Sequence, residues 1–415
     1  MRGVTVWKRL LGVDDRTVIE GLEWDHDADA PVAHMRPRRP TRRSCGRCGR
    51  PAAGYDRGHG RRRWRTLDLG TTQALLEADA PRVACAVHGV TVAAVPWARH
   101  GAGFTRGFED QTAWLACQAS KSAITQLLRV AWHTVGAIIA RVVDERGADR
   151  DPLAGLVRIG IDEISHRKGQ RYLTVVVDHD TGRLVWAKPG RDEATVEAFF
   201  DALGDDRAAA LRLISTDAGS WITNVVDRRA PHAIRCMDPF HVVAWVTDAL
   251  DEVRRQTWND ARRAGQRALA RQLKGARYAL WRNPEDLTAR QEAKLADIAR
   301  TNRRLYRAYL LKEQLRQVFA QDSARAAISL LERWLAWASR SRLPAFVKAA
   351  RSIRKHKTRI DASVVHGLSN ARVESVNTRI RLLTRVAFGF HSPEALIALA
   401  MLRLGGLCPP LPGRN

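Results

Sequence analysis

VRIGIDEIS, residues 157–165, is a segment in which apolar and other side chains alternate. Val157, Ile159 and Ile161 fall on one face of an extended chain, and Asp162 falls on the other. The segment therefore predicts a half-buried β-strand that carries a carboxylate. It begins a run of alternating strands and helices that continues to about residue 240.

The segments after this strand extend the same sheet. RYLTVVVD and RLVWAKP predict a hairpin across the turn at residues 179–182, and LRLIST and AIRCMD predict two more strands, each preceded by a helix. This order fits a mixed five-stranded sheet in which the first and fourth strands are neighbours. We expect that pairing to bring Asp162 close to Asp217, which ends the fourth strand.

The segment SNARVESVNTRIRLL, residues 369–383, predicts a helix that closes the same site. Its apolar residues recur at spacings of three and four, so one stripe can pack on the sheet. A different face gathers polar residues, namely Asn370, Glu374, Asn377, Thr378, Arg381 and Arg385. A solvated helix face is also polar, but a single carboxylate among Asn and Arg suits a metal ligand with phosphate-binding neighbours.

Carboxylates on two strand ends and one helix make a ligand set for Mg²⁺, or for Mn²⁺ in its place. Such ions prefer hard oxygen ligands, and a pair of them about 4 Å apart assists an in-line displacement at phosphorus. We predict two ions, with Asp162 as the bridging ligand and with Asp217 and Glu374 each binding one ion. These three residues are the predicted catalytic residues.

Other carboxylates compete for these roles. Glu163 is expected on the sheet face opposite to the aspartate before it, and Asp178 and Asp180 lie at the hairpin turn, where aspartate is common. Asp238 ends the last strand and also suits a helix N-cap, with His241 beside it. Asp238 and His241 are therefore candidate active-site neighbours.

Positive charge dominates the chain, because 69 Lys and Arg face 44 Asp and Glu in 415 residues, a net charge of +25. The excess predicts a polyanionic partner such as duplex DNA, although a solvated basic face is the alternative. The predicted DNA-binding residues lie in one basic run and on the closing helix: Arg61, Arg62, Arg63, Arg65, Arg372, Asn377, Arg381 and Arg385.

Four potential metal ligands form two close pairs, Cys45 with Cys48 and Cys85 with His88. Two such pairs are the tetrahedral set of a zinc ribbon, in which each tight turn presents two donors to one structural Zn²⁺. The alternative is a set of free thiols beside an incidental surface histidine. A small module has little core of its own, so metal binding would stabilise it strongly.

Residues 104–146 predict three helical pieces, with Ser120 as the N-cap of the second. This pattern fits a helix-turn-helix whose last helix enters a major groove. An ordinary packing unit of three helices has nearly the same pattern, and the surrounding basic charge favours the DNA-binding interpretation.

The rest of the chain predicts an intracellular protein with a large helical insertion. Residues 239–355 lose strand character and are rich in Ala, Leu, Arg and Glu. The N-terminus has no uninterrupted apolar run of a signal peptide, and ALIALAMLRLGGL is too short for a membrane span and is interrupted by Arg403. The six cysteines fit a reducing compartment better than a disulfide framework. We therefore expect a cytoplasmic protein without a membrane partner.

A resemblance to a known family rests on four long segments: IGIDEISHRKGQRYLTVVVDHDTGRLVWA, ISTDAGSW, MDPFHVVAWVTDALDEVRR and SNARVESVNTRIRLLTRVAFGF. They resemble the catalytic blocks of DDE transposases of the ISL-three insertion-sequence family, and CGRCG with CAVHGVTVAAVPWA resembles that family's zinc ribbon. His88 stands where a fourth cysteine is common in the family. The resemblance covers residues from about 40 to 405. It implies an RNase H-like catalytic domain interrupted by a helical insertion, with Asp162, Asp217 and Glu374 as the triad.

These observations predict a multidomain α/β protein with additional helical parts. The expected domains are an N-terminal strand and extension, a zinc ribbon, a helix-turn-helix, the first part of an RNase H-like core, the helical insertion and the closing helices of the core. Their predicted bounds are residues 1–40, 41–97, 104–150, 155–240, 241–360 and 361–407 respectively.

The predicted function is that of a DNA transposase, which binds terminal inverted repeats and catalyses Mg²⁺-dependent strand cleavage and strand transfer. A dimer or larger synaptic assembly is expected because two DNA ends must be joined, and the DNA-bound protein would be associated with the nucleoid. One alternative is a non-catalytic, sequence-specific DNA-binding regulator derived from a transposase. Another is a structure-selective nuclease of the same sheet class.

Overall fold

The computed structural model describes residues 2–38, 43–167, 169, 171–217, 219–387 and 389–414. The boundary predicted between the N-terminal extension and the zinc ribbon, at residues 40 and 41, lies outside these described residues. The chain divides into two compact units, one formed by residues 153–381 and the other by the segments before and after it.

The first unit begins with a short helix followed by two small sheets. The elements are α1 (Arg2–Leu10), β1 (Thr17–Asp25), β2 (Ala30–Pro37), β3 (Ala53–Asp56), β4 (Arg61–Arg65), β5 (Leu75–Asp79), β6 (Arg82–Cys85) and β7 (Gly89–Val92). One sheet has the order β1-β2-β5-β4, and the other has the order β3-β6-β7. Cys85 ends β6 and His88 follows it in the turn before β7, so this turn carries one of the two predicted ligand pairs.

Three helices follow in the same unit: α2 (Arg106–Gln118), α3 (Lys121–Leu128) and α4 (Trp132–Asp149). Ser120 caps α3 as predicted, because its side chain accepts a hydrogen bond from the backbone N–H of Ala123. Arg129 then turns the chain in the left-handed conformation, and α3 and α4 meet at 102°. This angle is typical of a helix-turn-helix.

A buried charge network fixes α4 against α2. Glu109 is fully buried and pairs with Arg99 and Arg141, while Arg99 also reaches Asp110 and Glu145 at 2.7 and 2.6 Å. Removing one partner from such a buried network leaves an uncompensated charge, which costs about 3–5 kcal/mol. The network therefore sets the position of α4 within this three-helix group.

Among the described residues, no single helix is long and apolar enough to cross a membrane. Helices α3 and α4 together have sufficient length and apolar composition, but the chain bends by 102° between them.

The second unit contains the mixed sheet predicted from the sequence pattern. Its elements are β8 (Arg158–Arg167), β9 (Arg171–Asp178), β10 (Leu184–Pro189), α5 (Glu193–Leu203), α6 (Asp205–Ala208), β11 (Leu213–Thr216), α7 (Ser220–Arg229) and β12 (Ile234–Met237). The strand order is β10-β9-β8-β11-β12, so the first and fourth strands are neighbours. β8 is antiparallel to β9 and parallel to β11.

Helices alone follow this sheet as far as residue 366, apart from one 3₁₀ turn at Pro284–Asp286. They are α8 (Pro239–Arg263), α9 (Arg267–Lys274), α10 (Arg277–Trp281), α11 (Ala289–Thr301), α12 (Arg303–Val318), α13 (Ala324–Arg340), α14 (Pro344–Lys355) and α15 (Lys357–His366). They share one apolar core that includes the fully buried Leu250, Trp334 and Phe346. This stretch therefore has a core of its own, separate from the one beneath the sheet.

The last two helices are α16 (Ala371–Val386) and α17 (Pro393–Leu404), and α16 crosses the division between the units at residues 381 and 382. The predicted apolar stripe of α16 is buried, with Val373, Val376 and Ile380 at most 2% exposed. Gly160 on β8 lies directly against it, because a Cβ built at Gly160 would be 2.4 Å from Cγ2 of Val373. Only a glycine lets the helix approach the strand this closely.

We predict that Gly160→Ala lowers the free energy of unfolding by about 1–3 kcal/mol, because the added methyl group overpacks the contact between β8 and α16. Urea or thermal unfolding of the full-length protein measures the change. Gly147→Ala on α4 is the control, since a Cβ there meets nothing within 4 Å and alanine is the better helix former. Equal stability of Gly160→Ala and the wild type would contradict the close contact.

Candidate metal centres and DNA interface

The register of the two parallel strands places two aspartates side by side. Thr216, the last residue of β11, pairs with Ile161 of β8, and the next residues along the two chains are Asp217 and Asp162. Carboxylate oxygens of Asp162, Glu163 and Asp217 all lie within 4.8 Å of one another. Since Mg²⁺ binds oxygen at about 2.1 Å, small side-chain rotations would let such oxygens share one ion.

The expectation that Glu163 points away from this site is wrong. Alternation along β8 does send its Cβ to the other face, but β11 ends opposite Ile161 and leaves this edge of β8 open beside Glu163. The longer side chain of Glu163 can therefore reach around the strand. Its Oε1 forms an ion pair with Nη2 of Arg191 at 2.7 Å.

Glu374 lies on α16 and does not belong to this group of three carboxylates, which was identified among the described residues. It interacts electrostatically with Asp238 and His241. One turn further along, Asn377 donates from Nδ2 to Oδ2 of Asp162 at 2.8 Å. The helix that carries Glu374 is thus tied to Asp162 by a direct hydrogen bond.

The predicted zinc ligands converge in the first unit. Cys45, Cys48, Cys85 and His88 each offer an atom within 4.8 Å of the others, with Cys48 Sγ 3.8 Å from Cys85 Sγ and His88 Nδ1 3.7 Å from the sulfurs of Cys45 and Cys85. A tetrahedral Zn²⁺ with Zn–S bonds of about 2.3 Å separates its sulfurs by about 3.8 Å. Backbone N–H groups of Val87 and His88 help lower the pKa of Cys85 to about 6, which favours the thiolate ligand.

The four arginines on β4 have partners inside the first unit. Arg61 and Arg63 bind Glu77 at 2.7 and 2.6 Å, and Arg62 donates to the carbonyl of Ala102 at 2.7 Å. Arg65 binds Asp68 at 3.1 Å, and only 10% of its side chain is exposed. Arg61 and Arg63 remain nearly half exposed.

The predicted DNA contacts on α16 fall into two groups. Arg372, Arg381 and Arg385 are exposed, and Arg372 donates to the carbonyl of Asp180 at 3.2 Å. Asn377 is only 2% exposed and lies against Asp162. Its position makes it a support for the carboxylate, in place of the surface contact expected from the helix pattern.

Family models match most of the chain. Residues 41–88 match the zinc-finger of transposase IS204/IS1001/IS1096/IS1165, residues 93–143 match the helix-turn-helix domain of transposase family ISL3, and residues 159–400 match the transposase model of the same family. The chain belongs to the ISL3 transposase family. The resemblance inferred from the four sequence segments is thereby confirmed.

Curated relatives agree with this membership. The transposase is 57% identical over 438 residues to the transposase for insertion sequence element IS1557 in two strains of Mycobacterium tuberculosis, covering 100% of this chain and 98% of the relative. It is 28% identical over 275 residues to the transposase for insertion sequence element IS1001 of Bordetella parapertussis, covering 66% of each chain. The zinc-ribbon match and the four converged Cys and His side chains support a structural zinc ion in this transposase.

The carboxylates of the transposase destabilise each other's charged forms. Burial raises the pKa of Asp162 to about 7, and the charges of Glu163 and Asp217 add to the rise. Burial also raises the pKa of Glu163 and of Asp238. A cation bound among such carboxylates would stabilise their charged forms.

His241 is the basic group that these carboxylates share. Burial raises the pKa of Asp162, Glu163, Asp238 and Glu374, and the interaction with His241 partly opposes that rise. Its ring packs edge-on against Phe240 with centroids 6.0 Å apart. The expectation that Asp238 and His241 neighbour the active site stays a prediction, supported by these electrostatic interactions.

A buried chain of polar groups behind the carboxylates was missed by the sequence reasoning. Ser215 donates to Oδ1 of Asn370, so Nε2 of His179, 2.7 Å from the same hydroxyl, must be its donor. The backbone N–H of Asn370 then donates to Oδ1 of Asp238 at 3.3 Å. One available signal was the polar pair Ser215 and Thr216, which ends a fully buried strand.

We predict that the transposase loses stability in acid through His179. Burial lowers its pKa from 6.5 to about 4, and Arg372 and Arg158 act in the same direction against Asp178 and Asp180. The unfolded chain therefore takes up the proton first, and stability falls as the pH drops from about 6.5 towards 4. The loss attributable to His179 at pH 5 is about 2 kcal/mol relative to pH 8.

Unfolding free energies of the wild type and His179→Gln at pH 8 and pH 5 test this prediction. Glutamine keeps a donor for Ser215 but cannot be protonated, so the difference between the two pH values should shrink in the variant. An identical pH dependence in the two proteins would show that His179 titrates normally.

We predict that Cys48→Ser lowers the zinc content of the transposase well below one ion per chain and lowers its melting temperature, because three ligands hold the ion more weakly than four. Metal analysis by mass spectrometry and a thermal melt measure both effects. Cys408→Ser is the control, since Cys408 is not among the converged ligands and should leave the zinc content unchanged. Full zinc retention in Cys48→Ser would contradict the assigned ligand set.

Proposed function

We propose that this transposase cuts DNA at the ends of its element and joins the freed 3′-hydroxyl to target DNA, using divalent ions held by Asp162, Asp217 and Glu374. The observation that carries the proposal is that Asp162 and Asp217 lie side by side, because each follows the last residue pair between the parallel strands β8 and β11. Asp162 itself lies within β8, which continues to Arg167 alongside β9, and is not at the strand end expected from the sequence. The hydrogen bond from Asn377 to Asp162 ties the helix of Glu374 to the same place.

The architecture of the second unit supports an RNase H-like assignment for the catalytic domain. Three antiparallel strands are followed across the sheet by two parallel ones, and helices connect the parallel strands. The large helical insertion stands between β12 and α16. The sequence assigns residues 155–240 and 361–407 to this core and residues 241–360 to the insertion, but residues 382–407 group with the first compact unit.

The residues present fit Mg²⁺ or Mn²⁺, because carboxylate oxygens of Asp162, Glu163 and Asp217 lie within 4.8 Å of one another and burial raises the pKa of Asp162 and Glu163. When bound, a pair of such ions activates the attacking hydroxyl and stabilises the departing oxygen. Asp162 would bridge the ions, while Asp217 and Glu374 would each hold one. Asn377 orients Asp162 for this task, and Asp238 and His241 adjust the charge around Glu374.

DNA recognition belongs to the ribbon and the helix-turn-helix in this proposal. The N-terminal end of α4 would enter the major groove of a terminal inverted repeat. Arg61, Arg62 and Arg63 would contact phosphates, with Arg61 and Arg63 exchanging Glu77 for the DNA backbone. The buried Arg65 would instead hold the ribbon together.

The exposed arginines of α16 would bind the DNA strand that reacts. Arg381 interacts electrostatically with Glu374, so a phosphate bound by Arg381 would lie close to the proposed ligand. Arg372 and Arg385 would extend this basic surface along the helix. Because two DNA ends must be held together, we propose a homodimer or larger assembly, acting in the cytoplasm and associated with the nucleoid when bound to DNA.

Cleavage of labelled element ends by the purified protein with Mg²⁺ tests the catalytic proposal. Asp217→Asn should lower the cleavage rate by at least about 100-fold, since losing even a residue that only supports a ligand costs about 10–100-fold. DNA binding in a gel-shift assay should persist.

Asp180→Asn is the matched control, because Asp180 pairs with Arg158 at the hairpin, outside the carboxylate group. It should cleave like the wild type. Undiminished Mg²⁺-dependent cleavage by Asp217→Asn would refute the assigned triad. A wild-type protein that shifts the DNA without nicking it would instead support the non-catalytic regulator.

A further inference from the structure

We propose that Glu163 supplies an additional oxygen ligand to the cation held by Asp162 and Asp217, and that Arg191 positions it for this role. The inference rests on the proposed function and extends its ligand set by one residue. Three observations support it. The three carboxylates converge, Oε2 of Glu163 has no hydrogen-bond partner among the described residues, and Arg191 binds the other oxygen of that carboxylate.

Glu163 lies closer to the pair Asp162 and Asp217 than Glu374 does. Oxygens of Glu163, Asp162 and Asp217 lie within 4.8 Å of one another, and Glu374 does not join that group. Buried carboxylates this close repel each other unless a cation or a proton intervenes. The three side chains therefore form one electrostatic unit around a common centre.

The unpartnered oxygen points to a ligand. Only 10% of the Glu163 side chain is exposed, and its Oε2 is buried without a hydrogen-bond partner among the described residues. Buried polar atoms are seldom left in this condition, and an absent ion is one of the usual reasons. A divalent cation between the three carboxylates would satisfy this oxygen.

Arg191 binds Oε1 of Glu163 and thereby determines where Oε2 points. Its Nη2 binds Oε1 of Glu163 at 2.7 Å, and its guanidinium lies over the ring of Tyr172, 4.7 Å from the ring centre. Two contacts of this kind fix the guanidinium, which in turn fixes the rotation of the carboxylate. Arg191 is therefore a positioning residue, because it acts on the cation only through Glu163.

The competing explanation is that Glu163 serves only as a structural partner of Arg191. The two explanations differ in whether the negative charge of Glu163 is required. A glutamine at position 163 keeps a hydrogen bond to Arg191 through its amide oxygen but loses the negative charge. A structural role would tolerate this exchange, whereas a metal ligand would not.

Binding of Mn²⁺ to the full-length protein without DNA, measured by electron paramagnetic resonance of the free ion, tests the proposal. Glu163→Gln should raise the dissociation constant for Mn²⁺ by at least about tenfold. Glu193→Gln is the matched control, because Glu193 is a partly exposed glutamate that pairs with Asn224 and Arg228, outside the carboxylate group. It should bind Mn²⁺ like the wild type.

The role of Arg191 is tested with two variants. Arg191→Ala should weaken Mn²⁺ binding several-fold, and Arg191→Lys should restore part of the affinity because it keeps a cation beside Oε1. Circular dichroism and melting temperatures without metal check that each variant folds. Equal loss in Arg191→Ala and Arg191→Lys would overturn the positioning role.

The outcomes separate this inference from the proposed function. If Glu163→Gln folds and binds Mn²⁺ like the wild type while Asp217→Asn binds it weakly, the ligand role of Glu163 is overturned and the triad stands. If neither variant changes Mn²⁺ binding, the metal site of the proposed function itself fails. Weakened binding in both variants supports the extended ligand set.

Discussion

The parallel pairing of β8 with β11 is the contact on which the candidate catalytic site depends. Four residue pairs hold the strands in a register that ends at Ile161 and Thr216, so the two aspartates emerge together. A shift of one residue would send one carboxylate to the opposite face of the sheet. Gly160 contributes to the same geometry, because its missing side chain leaves room for Val373 of α16 against β8.

A second layer of interactions supports these carboxylates from behind. The chain from His179 through Ser215 and Asn370 to Asp238 links the hairpin, the central strands and the segment before α16. Its groups are almost fully buried, so each hydrogen bond restricts the positions of the others. The three carboxylates therefore lie near a buried, hydrogen-bonded polar network.

Sequence patterns predicted contacts between distant residues where a local rule, such as strand alternation or the spacing of metal ligands, determines the contact. Alternation in residues 157–165 and the strand order predicted the neighbourhood of Asp162 and Asp217, and the spacing of the cysteine pairs predicted the Cys₃His centre. The position of the Glu163 carboxylate was not predictable in this way, because alternation predicts only the direction of Cβ. It does not predict where a long side chain extends when the neighbouring strand, here β11, has already ended. Net charge similarly predicted basic character but not the intramolecular partners of Arg61 and Arg63.

The placement of the helical insertion also affects when the site can form. Asp162, Asp217 and Asp238 all precede the insertion in the chain, whereas Glu374 and Asn377 follow it. A nascent polypeptide that has left the ribosome only as far as β12 can build most of the sheet, yet it lacks the helix that fixes Asp162 and supplies the last proposed ligand. If Glu374 completes the site as proposed, nearly the entire polypeptide must be synthesised before the transposase can cleave DNA.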